Sequence, residues 1–138
     1  MKILVITAHP DDVDFGAGGT VATWISEGHE VVYCLATDGQ AGGSDNTVTR
    51  DEVAALRRRE QTAAANMLGV TELHWLGFPD GAVVADLNLR REISAVIRIV
   101  KPDRVLTQSG ERNYNRIYAS HPDHLATGEA ALCAVYPD

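Results

Sequence analysis

Cysteine is scarce: Cys34 and Cys133 are the only two among 138 residues. Cys34 sits in an apolar run and Cys133 in a small-residue helical stretch. Both read as buried free thiols, and no disulfide framework is implied. Basic residues are outnumbered, 12 Lys and Arg against 19 Asp and Glu, for a formal net charge of −7. Non-specific binding to nucleic acid or to an anionic membrane needs basic patches, so neither is expected as a partner. Long apolar runs are missing too, and none approaches the ~20 residues of a membrane span. The chain opens directly on a strand, without a signal-peptide apolar region or cleavage site, which points to the cytoplasm. Repeats, low-complexity tracts and linkers are absent. What remains is an ordinary globular composition, 45% hydrophobic, whose length suits a single domain, 1–138, with a real core.

The apolar run over residues 2–7 reads as a buried strand, which Pro10 ends because it cannot donate to a ladder. A helix from about Gly19 to Glu27 carries Val21, Trp24 and Ile25 at helical spacing, with Gly28 as its stop. A strand over Glu30 to Ala36 and a Gly-rich loop, Thr37 to Asn46, follow. Thr49-Arg50-Asp51-Glu52 has capping-box spacing. It opens a helix ending at Gly69, with Val53, Leu56, Ala64, Met67 and Leu68 expected on the apolar side. Next come a strand over Glu72 to Leu76 and a turn cluster, Gly77-Phe78-Pro79-Asp80-Gly81. An amphipathic helix from near Asp86 shows Leu89, Ile93, Val96, Ile97 and Val100. A strand, Arg104 to Thr107, a polar loop, Ser109 to Ser120, and a helix from His121 to about Val135 complete the chain. This alternation predicts an α/β fold: a Rossmann-like, three-layer α/β/α arrangement on a mostly parallel sheet with right-handed crossovers.

Ala8-His9-Pro10-Asp11-Asp12 follows the first strand, at the edge where open α/β sheets bind ligands. His121-Pro122-Asp123-His124 follows the last strand, so topology brings the two clusters to one edge. Imidazole and carboxylate are zinc ligands, and catalytic zinc keeps three protein ligands and one position for water. His9 and Asp12, on one tight turn, can supply two; His124 is the natural third. Asp11, beside a ligand but differently directed, is free to serve as a general base on that water. If Ser120 or His121 caps the last helix, His121 and His124 project from one side of its first turn. Pro122 suits such a start. One imidazole can then bind metal while the other faces substrate. The electropositive helix end disfavours an imidazolium at His121 unless a carboxylate, Asp123 or Asp11, partners it. His29 and His74 lack comparable acidic neighbours, and Asp14 reads as a solvated or capping carboxylate.

These paired motifs resemble the signature of the LmbE-like, or PIG-L, metal-dependent N-deacetylases. That family acts on N-acetylglucosaminyl phosphatidylinositol and on the mycothiol and bacillithiol precursors. Thr37-Asp38-Gly39-Gln40-Ala41-Gly42, Arg57 and Glu60 ahead of Leu68-Gly69-Val70, and Asp80-Gly81 agree, and the resemblance runs along essentially the whole chain. It implies His9, Asp12 and His124 as ligands of Zn2+, with Fe2+ suiting the same donors. It implies Asp11 as general base and His121 as the residue that holds the oxyanion or protonates the leaving amine. Asp123 would orient His121, and Arg57 would contact substrate. The implied activity is hydrolysis of an N-acetyl, or other N-acyl, group on a small amino-sugar substrate. The family usually places Glu directly after the two aspartates; here Val13 stands there and Asp14 follows, which changes hydrogen bonding behind the ligands. Family members also continue well beyond the position of Asp138, so the sequence is expected to be an N-terminal portion.

Competing readings make different demands. A dinucleotide-binding turn should directly follow the strand and carry glycine at its sixth position. Here the acidic motif intervenes before Gly16-Ala17-Gly18-Gly19, and the sixth position is Val21. Two His and one carboxylate also describe non-haem Fe(II) oxygenases, which would consume oxygen with a 2-oxoacid. A non-catalytic metal-binding homologue would release no acetate from any amino sugar. No particular oligomer is indicated.

Overall fold

A strand that is apolar throughout needs neighbours on both edges and cover on both faces. β1 (Lys2–Thr7) has both. It pairs in parallel with β2 (Glu30–Thr37) on one side and with β4 (Arg104–Thr107) on the other. β3 (Glu72–Phe78) lies outside β2, giving an all-parallel, four-stranded sheet of order β3-β2-β1-β4. The chain therefore runs outward from β1 to β3 and then crosses to the far side of β1. This reversal puts the topological switch point between the carboxyl ends of β1 and β4, where such sheets bind ligands. The computed structural model covers residues 1–138.

Five helices cover the sheet: α1 (Asp12–Gly16), α2 (Gly18–Ser26), α3 (Arg50–Leu68), α4 (Leu87–Val100) and α5 (Pro122–Val135). Alternation along the strands splits the core in two. Ile3 and Val5, with Val31, Tyr33 and Leu35, pack against Val13, Val21 and Ala65 from α1, α2 and α3. Leu4 and Ile6, with Val32 and Cys34, pack against Leu89, Ile93, Val96 and Val100 of α4 and the alanines of α5. The result is the expected α/β/α sandwich. Helix starts follow their caps: Thr49 and Glu52 form a reciprocal capping box, and Asp86 accepts from Leu89 N–H at 3.0 Å.

Several local expectations are corrected. Residues 8–18 are not all loop, because α1 occupies Asp12–Gly16; five residues are too few for periodicity to reveal. β2 and β3 run on to Thr37 and Phe78, and a short 3-10 helix, Ile117–Ser120, closes the polar loop. The inward face of α3 is only partly the expected apolar one: Leu68 packs on the core and Val53 and Ala64 are half-buried. Leu56 and Met67 are 45% and 90% exposed, whereas Gln61 is 2% exposed. That face meets a polar turn, and its composition follows what it meets. Cys34 is buried as expected, but Cys133 is only half-buried, with Sγ 3.8 Å from Glu129 Oε1.

Candidate functional site

The site begins where β1 leaves the sheet. Thr37 N–H and its hydroxyl both donate to Ala8 O, pinning the end of β1 to β2. Ala8 N–H donates to Gln108 Oε1 at 3.0 Å, pinning it also to the residue after β4. His9 N–H donates to Asp12 Oδ2 at 2.8 Å and closes the turn. Asp11, inside that turn, is left-handed at φ 77, a conformation that a non-glycine residue adopts only when its surroundings hold it.

α3 does the holding. Gln61 Oε1 accepts the Asp11 N–H at 2.5 Å, and its Nε2 donates to Asp14 Oδ2 at 3.3 Å. One turn earlier, Arg57 Nη2 donates to Pro10 O and to Asp11 Oδ2, each at 3.0 Å. Arg57, expected as a substrate contact, is thus placed on the Asp11 turn. Asp14 is neither solvated nor a cap. Desolvation raises its pKa, the Gln61 bond works the other way, and the neighbouring Asp11 charge raises it further. Val13, at the position where the family usually has Glu, is a core residue.

The side chains of His9, Asp12 and His124 face one another beside this turn. His9 Nδ1 and His124 Nε2 are 3.2 Å apart, His124 Nε2 is 3.1 Å from Asp12 Oδ1, and His9 Nδ1 is 3.5 Å from Asp12 Oδ2. Donors at zinc–nitrogen distance around a tetrahedral ion stand about 3.3 Å apart, and these side chains meet at comparable spacing; the groups able to hold an ion are His9, His121 and His124 on one side of the His9 ring and His9, Asp80 and Asp123 on the other. The donor nitrogens of His9, His121 and His124 also lie within 4.8 Å of one another. Burial opposes charge on His9, but hydrogen bonds to Asp12 and Asp123 outweigh it and push its pKa up to about 9. Asp12 is desolvated as well, yet His124 and His9 hold it well below the usual carboxylate range. The cluster's field favours positive charge.

The far nitrogen of His9 is anchored from behind. Nε2 lies 2.9 Å from Asp123 Oδ2 and 3.1 Å from Asp80 Oδ1. Asp123 is fully buried and also accepts from Gly81 N–H at 2.7 Å and Val83 N–H at 3.1 Å. A carboxylate accepts, so the His9 proton sits on Nε2 and the lone pair of the neutral ring on Nδ1. Asp12 Oδ2 takes a second donor, Gln108 Nε2 at 3.0 Å, which leaves Oδ1 turned to His124. The carboxylate of Asp123 therefore orients His9, not His121 as expected. His121 is instead the cap of α5, and its Nδ1 accepts the Asp123 backbone N–H at 3.1 Å. That bond puts the His121 proton on Nε2 of a neutral ring, 4.9 Å between centroids from His9 and 5.2 Å from His124.

Sequence reasoning missed Gln61 and Gln108 altogether; the one signal for Gln108 is its place immediately after a strand at the functional edge. His74 pairs with the nearby Glu72, and His29 with Glu27 and the Met1 N-terminus, all remote from the cluster. A cleft of about 980 Å3 opens beside the cluster, lined by Asp11, Asp12 and His124 and by the aromatic side chains of Phe15, Tyr114 and Tyr118.

The profile of the PIG-L family, described as GlcNAc-PI de-N-acetylase, matches residues 4–135. The chain belongs to the PIG-L family. Within 134 aligned residues it is 38% identical to the diacetylchitobiose deacetylase of Thermococcus kodakarensis, covering 97% of the chain and 49% of that protein. The solved structure of N,N'-diacetylchitobiose deacetylase from Pyrococcus horikoshii, complexed with an inhibitor, gives a TM-score of 0.91 at 36% identity, over 97% of the chain and 49% of that one. The 4-carboxy-2-hydroxymuconate hydratase of Pseudomonas putida gives 0.83 at 28% identity, over 96% and 55%. The chain thus spans about half the length of these PIG-L deacetylases. Both are named for removing acetyl groups from an N-acetylated amino-sugar compound, a hydrolysis of amide bonds.

Proposed function

We propose that the protein is a metal-dependent hydrolase that removes an N-acetyl group from a small amino-sugar substrate in the cytoplasm, with His9, Asp12 and His124 holding Zn2+ or Fe2+. One observation carries this reading: donor atoms from two remote turns converge at 3.1 to 3.5 Å, with the outer atoms of His9 and Asp12 already engaged by Asp123 and Gln108. No helix is long and apolar enough to cross a membrane, which agrees with a small water-borne substrate.

When bound, the metal polarises the acyl oxygen and lowers the pKa of a water towards ~7. Asp11 supplies the base. Its backbone is left-handed, its side chain lines the cleft, and Arg57 steadies Oδ2 from α3. The proton that Asp11 takes from the attacking water is then available to the departing amine. His121, a neutral ring with its proton on Nε2, donates to the oxygen that gains negative charge, the role of an oxyanion-hole group. Arg57 acts through Asp11 in this scheme. Gln108 and Asp123 fix Asp12 and His9.

The test is acetate release from N,N'-diacetylchitobiose and N-acetylglucosamine by the full chain, loaded with Zn2+ or Fe2+ after chelation. Release that is lost on chelation and restored by metal supports the reading. The hydratase relative favours one other reading, water addition to an unsaturated acid at the same centre. Consumption of a muconate-type enol without acetate release from either sugar would select it.

A further inference from the structure

Asp14 directs a half-buried carboxylate at a single side chain, with Oδ2 accepting from Gln61 Nε2 at 3.3 Å. Gln61 is 2% exposed, so neither end of its amide can turn to water. Its Oε1 takes the Asp11 N–H at 2.5 Å, and Asp14 is the acceptor for its NH2. A primary amide can flip end for end, exchanging donor for acceptor. Flipped, Gln61 would set its NH2 against the Asp11 N–H and its oxygen against the Asp14 carboxylate. Both contacts would repel, so the two partners together select one orientation. A buried donor left without an acceptor is also costly, so Gln61 stays in place only while Asp14 takes its NH2.

That orientation is the one the Asp11 turn needs. The peptide unit between Pro10 and Asp11 is gripped from α3 at both ends, its oxygen by Arg57 Nη2 at 3.0 Å and its N–H by Gln61. Fixing this plane fixes the rotation that follows it, the φ of 77 at Asp11, a conformation that only its surroundings hold. We infer that Asp14 is a positioning residue for the proposed reaction: through Gln61 it clamps the Pro10–Asp11 peptide, and with it the carboxylate that takes the proton of the attacking water. This rests on the deacetylase reading above, in which Asp11 is the base. Asp14 itself neither lines the cleft nor belongs to a group able to hold an ion. Its neighbour Val13 enters the core, and the carboxylate one residue later faces α3.

Hydrogen exchange and turnover are measured in parallel on the full zinc-loaded chain. Asp14→Leu removes the acceptor at similar size, whereas Asp14→Asn keeps an oxygen for Gln61. Asp14→Leu should speed exchange of the Asp11 amide, followed by NMR, about tenfold, the scale of one buried hydrogen bond. It should lower kcat for acetate release from N,N'-diacetylchitobiose by about the same factor while zinc affinity stays within about twofold of the parent. Asp14→Asn should recover most of both. On a Gln61→Leu background Asp14→Leu should add nothing, because its effect passes through Gln61. Parental exchange at Asp11 in a folded Asp14→Leu protein overturns the positioning role, and so does a loss of turnover that adds to that of Gln61→Leu. If Asp14→Leu does not fold, the reversed pair Asp14→Asn with Gln61→Glu carries the test. There the new carboxylate takes the Asp11 N–H and the new amide donates to it. The pair should protect the Asp11 amide better than Gln61→Glu alone, and equal protection overturns the role. A parent that releases no acetate sinks the deacetylase reading, and exchange at Asp11 alone then decides whether Asp14 holds the turn.

Discussion

Asp123→Asn is the sharpest probe of how the cluster is held. The carboxylate is fully buried and accepts three donors, His9 Nε2–H and Gly81 N–H on Oδ2 and Val83 N–H on Oδ1. An amide has one acceptor atom. With its oxygen towards His9 and Gly81, its NH2 confronts the Val83 N–H; flipped, it confronts two donors. The first arrangement is the cheaper, and it strands one buried backbone donor at about 1–3 kcal/mol. It also removes the charge assistance on the His9 bond, roughly 1 kcal/mol. The sum, roughly 2–4 kcal/mol, is well inside the roughly 7–20 kcal/mol expected of a domain this size, so the variant folds. His9 keeps its place less firmly and its ring is less basic, so metal affinity should drop about 10- to 100-fold. Urea unfolding of the metal-free protein reads the first quantity and competition with a chromophoric zinc chelator reads the second. A folded Asp123→Asn protein that binds zinc within about twofold of the parent would refute the anchoring of His9 through Nε2.

Asp11→Asn should retain zinc, since Asn tolerates a left-handed backbone, and lose roughly 10²–10⁴ in acetate release; a metal-free Asp11→Asn protein would make Asp11 a ligand instead of a base. The pH dependence has a defined sign. His9 titrates at about 9 in the metal-free protein against an ordinary 6.5, so its stabilisation is complete below 6.5 and is lost as pH rises through 9. Urea midpoints of the metal-free protein should therefore fall across that window, and zinc, which displaces the proton, should abolish the fall; a flat metal-free profile contradicts the charged cluster. Gly128→Ala places a Cβ against Gln108 O and 2.9 Å from Gly110 N. Backbone must move, at roughly 1–3 kcal/mol, and because Gln108 holds Asp12, zinc affinity should weaken along with the urea midpoint; a stable variant with parental zinc affinity would separate Gln108 from the site.

The fold was largely legible because its signals are local. A strand buried on both faces, a capping box at Thr49 and the stripe of α4 each declare themselves within one element, and the strand–helix alternation then dictates a parallel sheet. The two histidine clusters were legible for a related reason: both follow strands, so topology alone carries them to one edge, although they stand more than a hundred residues apart. α1 and the face of α3 were not. One is a single turn, and the other buries Gln61 where an apolar pattern pointed to Leu56 and Met67.

What escaped detection shares one physical character. Gln61 and Gln108, and the partner though not the presence of the Asp123 carboxylate, depend on contacts that lie 50, 96 and 114 positions away. No periodicity distinguishes them from solvated side chains, because their value comes only from burial beside an unsatisfied group. Each nonetheless answers a question that the motif poses but does not solve. Two imidazoles and a carboxylate brought within 3.5 Å of one another do not stay mutually directed without a cation unless their outer atoms are tied back. Asp123 ties His9, Gln108 ties Asp12, and Gln61 with Arg57 ties the strained residue between them. The motif names the chemistry, while these distant partners set its geometry, and variants at Gln108 or Asp123 should loosen metal binding without touching a ligand.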